Sequence, residues 1–494
     1  MKTQYENLSK EELIDRVITL EANLSRLNSL EAELIQIKRM IFGSKSERFV
    51  AQENPSQLSL LDVSPKTEEI KKVPVPAHSR TKKESKKPSR NSFPEHLERV
   101  VKTIYPEGFD ENATAPRIGE EITEVLNYIP GKLIVEQTIR PKYKTQENKI
   151  VIAELPARPI AKGLFGIALI VRILIDKYVD HLPLYRQNER FKREGVTIAD
   201  STLGDVPRQV AELMLLLYQE LIKQVIASGY INADETPTPV MDPKKKGKTH
   251  RGYHWVYYSP HEKLVLFDYR TGRGREGPEE VLKNFNGFLQ TDGYAVYDGF
   301  ESNDAITLVG CMAHARRYIE QALMSDRERA EHVMQLIQKL YATERTIRES
   351  ESPLSGQQIV ALRQAESKPA LDEIKSWLDE HLNIVTPTSP LGKAISYMYA
   401  RWNKLTVYIN HAHLNIDNNL VENAIRPTVI GRKNYLFSGS HEGAERSAMF
   451  YSFLGSCKMN GINPEEWLAD VLKKLPETKS SQLYTLLPNH WKRA

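Results

Sequence analysis

Between Tyr230 and Cys311 the sequence sets out three consecutive strand-like runs, then a helix and two more strands, and no other stretch restricts the fold as tightly. The first run, Tyr230-Ile231-Asn232-Ala233-Asp234-Glu235-Thr236, follows the punctuation of Ser228-Gly229, and His254–Ser259 and Leu264–Arg270 come after it. Short turns between β-rich runs predict an antiparallel meander. A helical pattern over Pro278–Phe285 then leads to a strand from Gly287 that is expected to end on Asp292. A strand, a crossover and a parallel strand put that acid at a carboxyl end, where α/β sheets collect ligands, although Asp-Gly alone is also a turn signal. Asp234 lies inside the first strand, where acids are disfavoured. A further strand, Ile306–Cys311, runs into Ala313-His314-Ala315-Arg316-Arg317. His314 and Arg317, three apart, share a helix face, either as plain polar surface or as a basic pair reaching a nucleic acid.

From Glu320 to Val407 the pattern is helical, with apolar stripes Val333, Leu336, Ile337, Leu340, then Leu371, Ile374, Leu378, then Ile395, Met398, Trp402, Leu405. A polar block from Asn415 to Arg426 follows, which Asp417 or Asn418 can N-cap and Pro427 is expected to end or kink. Glu422 and Arg426 stand at i and i+4, and Lys433 shares their face if the helix is unbroken. Acids on the first strand, the fourth strand and a late helix form the layout of an RNase H-like fold. Phosphodiester cleavage and transfer calls for two divalent cations roughly 3.5–4 Å apart. Carboxylate oxygens are the matching ligands for Mg²⁺ or Mn²⁺.

The start of the chain reads differently. Leu13, Val17, Leu20, Leu24, Leu27, Leu30, Leu34, Ile37 and Ile41 alternate steps of three and four with one short step, a coiled-coil seam suited to dimerisation. Residues 51–96 are rich in Pro, Ser and Lys and read as a linker; eight basic residues against Glu84 between Lys71 and Arg90 suit a phosphate backbone. Alternation over 118–156 predicts a small β unit. Leu182–Glu194, a turn at Gly195–Thr197 and a second helix opening near Ser201 have the form of a helix-turn-helix. The net charge of 494 residues is only +4, from 68 Lys and Arg against 64 Asp and Glu, so local clusters must carry any affinity for an anionic partner. Two cysteines, Cys311 and Cys457, are too few for a disulfide framework, and no apolar stretch is long enough for a membrane span. A cytoplasmic protein is expected.

Four blocks in order are more specific than any of these features: Ala233-Asp234-Glu235-Thr236-Pro237, Leu289-Gln290-Thr291-Asp292-Gly293-Tyr294, Cys311-Met312-Ala313-His314-Ala315-Arg316-Arg317, and Asp417-Asn418-Asn419 through Glu422-Asn423-Ala424-Ile425-Arg426 to Gly431-Arg432-Lys433-Asn434. With the leucine-rich start, Phe42–Arg48, His181–Gln187 and Asn463–Leu468, they make nearly the whole chain resemble a transposase of the insertion-sequence-66 family. That resemblance implies a DDE enzyme in which Asp234, Asp292 and Glu422 are the catalytic, metal-binding triad, with Asp417 as rival third acid. It implies two Mg²⁺ or Mn²⁺ ions, DNA partners in the form of terminal inverted repeats and target DNA, a homodimer or higher oligomer, and accessory proteins encoded beside it. His314, Arg317, Arg426, Arg432 and Lys433 are candidate phosphate contacts, as are Lys244, Lys245, Lys246, Lys248 and Arg251 between the first two strands. The sequence departs from the family where many members carry two cysteine pairs; Tyr105–Asn112 and Lys144–Asn148 contain none, so no zinc is expected.

The expected fold is therefore multidomain α+β. A coiled coil (1–48), a basic disordered linker (49–97), a small β unit resembling a degenerate zinc finger (98–158) and a helix-turn-helix-like DNA-binding region (159–227) precede the core. The RNase H-like catalytic core (228–319 and 409–458) is split by an all-helical insertion (320–408) and followed by a closing helical segment (459–494). The alternatives are a nuclease of the same fold that cuts without joining, and a zipper-dimerised DNA-binding regulator without catalysis.

Overall fold

The computed structural model describes residues 131–144, 150–152, 160, 163–242 and 247–493. The leucine seam, the basic linker and Lys244, Lys245 and Lys246 lie outside the described residues. Residues from Thr138 onward belong to one compact unit, and 131–137, in the other, are irregular backbone. Of the expected small β unit, the described part is a ribbon in which β1 (Lys142–Lys144) pairs antiparallel with β2 (Ile150–Ile152), Tyr143 opposite Val151.

Three helices come next. In α1 (Ile167–Tyr178), Ile170, Val171, Ile173, Leu174 and Tyr178 are buried, as is Asp176, which pairs with Arg172 and Arg190. After α2 (Leu184–Arg193), Gly195 makes the turn at φ +82°, a left-handed conformation that glycine adopts without strain. The second helix, α3 (Asp200–Ala227), is 28 residues long, far beyond a short groove-reading helix. Its stripe Leu203, Val206, Val210, Met214, Leu217, Leu221, Val225 repeats every three or four residues and is buried from end to end, which keeps the helix growing along the core.

A five-stranded mixed sheet forms the centre, from β3 (Tyr230–Met241), β4 (Thr249–Ser259), β5 (Leu264–Arg270), β6 (Gly287–Gln290) and β7 (Ile306–Val309), in the order β5-β4-β3-β6-β7. The first three are antiparallel; β6 runs parallel to β3, and β7 parallel to β6. The helix between β5 and β6 is α4 (Glu276–Leu282). Strand β3 continues past Pro237 and Pro239, where the sequence pattern stops. Since β6 pairs only with Tyr230–Asn232, no strand lies beside that edge of β3 at Pro237 and Pro239, and the prolines remove no ladder bond there. The opposite edge is protected differently: Ser452 and Ser456 accept the Phe267 and Val265 amides at 2.8 and 2.9 Å, covering β5 with a helix.

Beyond the sheet, α5 (Met312–Ala322) leads into α6 (Arg327–Arg348), α7 (Gly356–Leu362), a π turn at Arg363–Ser367, α8 (Lys368–His381), α9 (Pro390–Ala400) and α10 (Trp402–Thr406). Their apolar stripes bury one another in a core that reaches Tyr230 and Val309 of the sheet, with Trp402 at its margin. Arg363 is 3% exposed and forks onto Glu344 with two bonds of 2.8 Å, while also donating to the Tyr408, His411 and Leu414 carbonyls. It thereby fixes the segment that returns the chain to the sheet.

The helix after that segment, α11 (Asn419–Tyr435), is unbroken through Pro427, contrary to the expected end or kink. The missing amide costs about 3 kcal/mol; burial of Val421, Ala424, Ile425, Thr428 and Gly431 along the facing side offsets it. Leu436 stops the helix at φ +69°, and the chain then bonds β3 through Ser438 N–H to Pro239 O (2.8 Å) and Met241 N–H to Ser438 O (2.8 Å). Helices α12 (His441–Met459), which carries the two edge-capping serines, and α13 (Pro464–Lys474) close the fold.

Candidate active site

Asp234 lies on β3 two residues beyond Asn232, the last residue paired with β6. Its Oδ1 accepts the Glu235 amide at 2.7 Å. Burial, then the charges of Glu235 and Asp292 and finally Glu422, push its carboxyl up from 3.8 to about 8. Two acids from different elements, 58 and 188 residues away in sequence, therefore act on one half-buried carboxyl.

Asp292 stands two residues past the end of β6, not on the strand as expected, because Gly293 turns the chain at φ +88°. Its Oδ1 accepts the Tyr294 amide at 2.9 Å. The turn is gripped from α9 and the residue after it: Tyr397 donates to the Asp292 carbonyl at 2.7 Å and Arg401 to the Gly293 carbonyl at 2.6 Å. A Cβ on Gly293 would lie 2.3 Å from the Arg401 Nε, so the guanidinium can seat only against glycine.

Glu422, in the first turn of α11, faces α5 rather than Arg426. Its carboxylate is 3.8 Å from His314 Nε2 and 3.6 Å from Arg317 Nη2. These distances exceed those of a formed hydrogen bond, so Glu422 is only loosely held. Burial and the Arg317 charge hold His314 below its ordinary value, against the opposite pull of Asp292 and Glu422. The rival acid Asp417 is engaged elsewhere, accepting from Tyr341 OH (2.9 Å), Asn419 N–H (3.1 Å) and Asn419 Nδ2 (3.0 Å). Among the described residues, no three His, Cys, Asp or Glu side chains converge as a ready-made metal cage. Asp292 and Glu422 each act on Asp234 through their charge, and the three are not gathered to coordination distance.

A buried network fixes the two parallel strands beneath these acids. Gln290 Oε1 accepts from Tyr230 OH and from Asn232 Nδ2 (2.7 Å), and its Nε2 donates to Gly310 O (3.0 Å) and Asn415 O (2.9 Å). Asn418, at the head of α11, donates to Ala233 O at 3.0 Å. The late helix is thus tied directly beside Asp234.

The remaining basic candidates separate. Arg426 and Lys433 are exposed along α11, and Lys248 and Arg251 are exposed at the start of β4. Arg432 instead turns inward, donating to Thr236 Oγ1 at 2.8 Å and to the Pro237 carbonyl, and so braces α11 on β3. Three contributors escape the sequence reading: Glu235, whose side chain is 2% exposed, its partner Arg273, and the Tyr397–Arg401 grip. Only the glycine-flanked Thr271-Gly272-Arg273-Gly274-Arg275 carried a local hint.

Comparison with known proteins places this arrangement. The family model "Transposase IS66 family" matches residues 162–446, which contain the sheet, the three acids and the helical layer. "Transposase C of IS166 homeodomain" matches residues 29–101, over part of the leucine-patterned start, and "IS66 C-terminal element" matches 452–489. Similar proteins from Sinorhizobium fredii (strain NBRC 101917 / NGR234) include the uncharacterized protein y4jD, 32% identical with 94% of each chain covered. The uncharacterized protein y4qI of the same strain is 30% identical over 94% of this chain and 89% of its own. No described helix is long and apolar enough to cross a membrane. The chain belongs to the IS66 family of transposases.

Proposed function

We propose that this transposase cuts and joins DNA strands with an RNase H-like core in which Asp234, Asp292 and Glu422 are the catalytic triad. The observation that carries the reading is one of placement: Asp234 and Asp292 each stand two residues past the last pair of two adjacent parallel strands, and Asn418, at the head of the helix that carries Glu422, is bonded to the carbonyl next to Asp234. Burial, then the charges of Glu235, Asp292 and Glu422, raise the Asp234 carboxyl accordingly. The donor set fits Mg²⁺ or Mn²⁺: it is all carboxylate oxygen, and negative charge accumulated beside a half-buried acid is what a divalent cation relieves. Bound there, two such cations would activate the attacking oxygen and stabilise the leaving one. Asp234 and Asp292 would hold them from a strand and a gripped turn, and Glu422 would complete the site by leaving His314 and Arg317.

The rest of the chain positions DNA. His314 and Arg317 sit at the acids and are placed to take a phosphate when Glu422 moves away. Exposed Arg426, Lys433, Lys248 and Arg251 suit backbone contact, and Lys244, Lys245 and Lys246 stand next to Lys248 in sequence. The partners are the element's terminal inverted repeats and target DNA. The leucine seam makes a homodimer or larger assembly, accessory proteins join it, and the complex works in the cytoplasm on the nucleoid.

Purified protein with Mg²⁺ and DNA carrying element ends tests the reading. Strand breaks and joined products are expected. Breaks without joining under all conditions favour a nuclease, and breakage unchanged in Asp234→Ala ends the catalytic proposal.

A further inference from the structure

Strands β3 and β6 stop pairing two residues short of each aspartate, Asn232 opposite Gln290 being the last register pair. Beyond it, no ladder bond between these strands fixes the separation of Asp234 and Asp292. What spans the gap is a side chain from the loop between β5 and α4. Arg273 donates through Nε (2.9 Å) and Nη2 to Glu235 Oε1, and Glu235 is the residue whose amide binds Asp234 Oδ1 at 2.7 Å. The other side of the guanidinium lies 3.9 Å from the ring centre of Tyr294. Tyr294 closes the circuit twice, its amide on Asp292 Oδ1 (2.9 Å) and its hydroxyl on the Arg273 carbonyl (3.2 Å).

We infer that Arg273 is a positioning residue that sets the spacing of the two aspartates, through Glu235 on one side and Tyr294 on the other. The inference rests on the proposed reading that these aspartates share a cation site. A guanidinium suits the task because it offers a planar fork to the carboxylate and a flat face to the ring at once; lysine does only one of these. Burial of the Glu235 side chain in its pair keeps the brace fixed, whereas Arg273 itself is 45% exposed. A DNA phosphate is the competing use of an arginine so exposed, and the test separates the two.

Full-length wild type, Arg273→Gln, Arg273→Lys and Glu235→Gln are compared in two assays: calorimetric Mn²⁺ binding without DNA, and duplex binding by fluorescence anisotropy without metal. The brace requires Mn²⁺ affinity to fall about tenfold in both Arg273→Gln and Glu235→Gln, as for other groups that orient metal ligands. Arg273→Lys recovers part of it, and duplex affinity stays within about twofold. Wild-type Mn²⁺ affinity in both variants overturns the inference. So does weakened duplex binding in Arg273→Gln with duplex binding kept or strengthened in Glu235→Gln, the pattern of a phosphate contact. Hydrogen exchange over residues 291–297 judges the brace without any metal: acceleration in Arg273→Gln supports it, unchanged exchange refutes it. Failure of the underlying reading looks different, because then Asp234→Asn binds Mn²⁺ as wild type does.

Discussion

Replacing Asp234 with asparagine should stabilise the metal-free protein while removing its response to Mg²⁺. The side chain is largely buried beside three other acids, and its folded-state value of about 8 lies far above 3.8. A carboxyl raised in this way favours folding fully below about pH 4 and loses that contribution as pH climbs towards 8. At pH 7 the gap of about three units, at about 1.4 kcal/mol each, sets a ceiling near 4 kcal/mol. Relaxation and partial solvent access reduce this, so about 1–2 kcal/mol is expected, or a few degrees in Tm. Asparagine keeps an oxygen for the Glu235 amide, so the hydrogen bond at Oδ1 survives. Calorimetric melting in EDTA from pH 4 to pH 9 measures the effect: the two melting curves should coincide near pH 4 and separate as pH rises, with the variant higher. Mg²⁺ should then raise only the wild type, by about 2.7 kcal/mol at a concentration 100 times its Kd. A variant that is less stable than wild type at pH 7, or a difference that does not change with pH, refutes the electrostatic account of the site.

Four other outcomes follow from the packing and the site. Arg363→Ala leaves Glu344 buried and unpaired and frees three carbonyls, so a loss of about 3–5 kcal/mol is expected in denaturant titration. Gln290→Leu strips partners from Asn232 and from the Gly310 and Asn415 carbonyls; it should cost about 2–4 kcal/mol and weaken Mn²⁺ binding through movement of both strand ends. Gly287→Ala combines φ +139° with a Cβ only 2.1 Å from the Gly229 carbonyl oxygen, so a melting temperature lowered by about 2 kcal/mol of lost stability or more is expected. Glu422→Gln should abolish strand cleavage in a gel assay while duplex affinity, read by anisotropy, is unchanged or raised, since the change removes negative charge beside His314 and Arg317.

Much of the sheet was legible because strand signals are local. The runs at Tyr230, His254 and Leu264 stand between turn residues, and the apolar stripes from Val333 to Leu405 keep helical spacing. Where tertiary contact overrides local preference, the pattern misleads. Pro237 and Pro239 read as the end of a strand, but no strand pairs with β3 on the side their nitrogens face; Pro427 reads as the end of a helix, but its buried face holds α11 together. The inward turn of Arg432 depends on a surface supplied by a distant segment. The three acids are singled out by the resemblance rather than by local pattern, and nothing local distinguishes Glu422 from Asp417. Only the folded structure separates their surroundings: His314 and Arg317 lie by Glu422, Tyr341 and Asn419 by Asp417. Nothing local marks Glu235, whose side chain is engaged by Arg273 from 38 residues away.

Iron-directed cleavage of the protein backbone tests the central claim most directly. Fe²⁺ replaces Mg²⁺ in the full-length protein, and ascorbate with peroxide then generates radicals that cut the chain beside the bound ion. The account requires cuts near residues 234, 292 and 422 together, all suppressed by excess Mg²⁺ and all absent in Asp234→Asn. Cuts at 234 and 292 with none around 422, or cuts around 417 in its place, would contradict the assignment of the late glutamate to the same cation site.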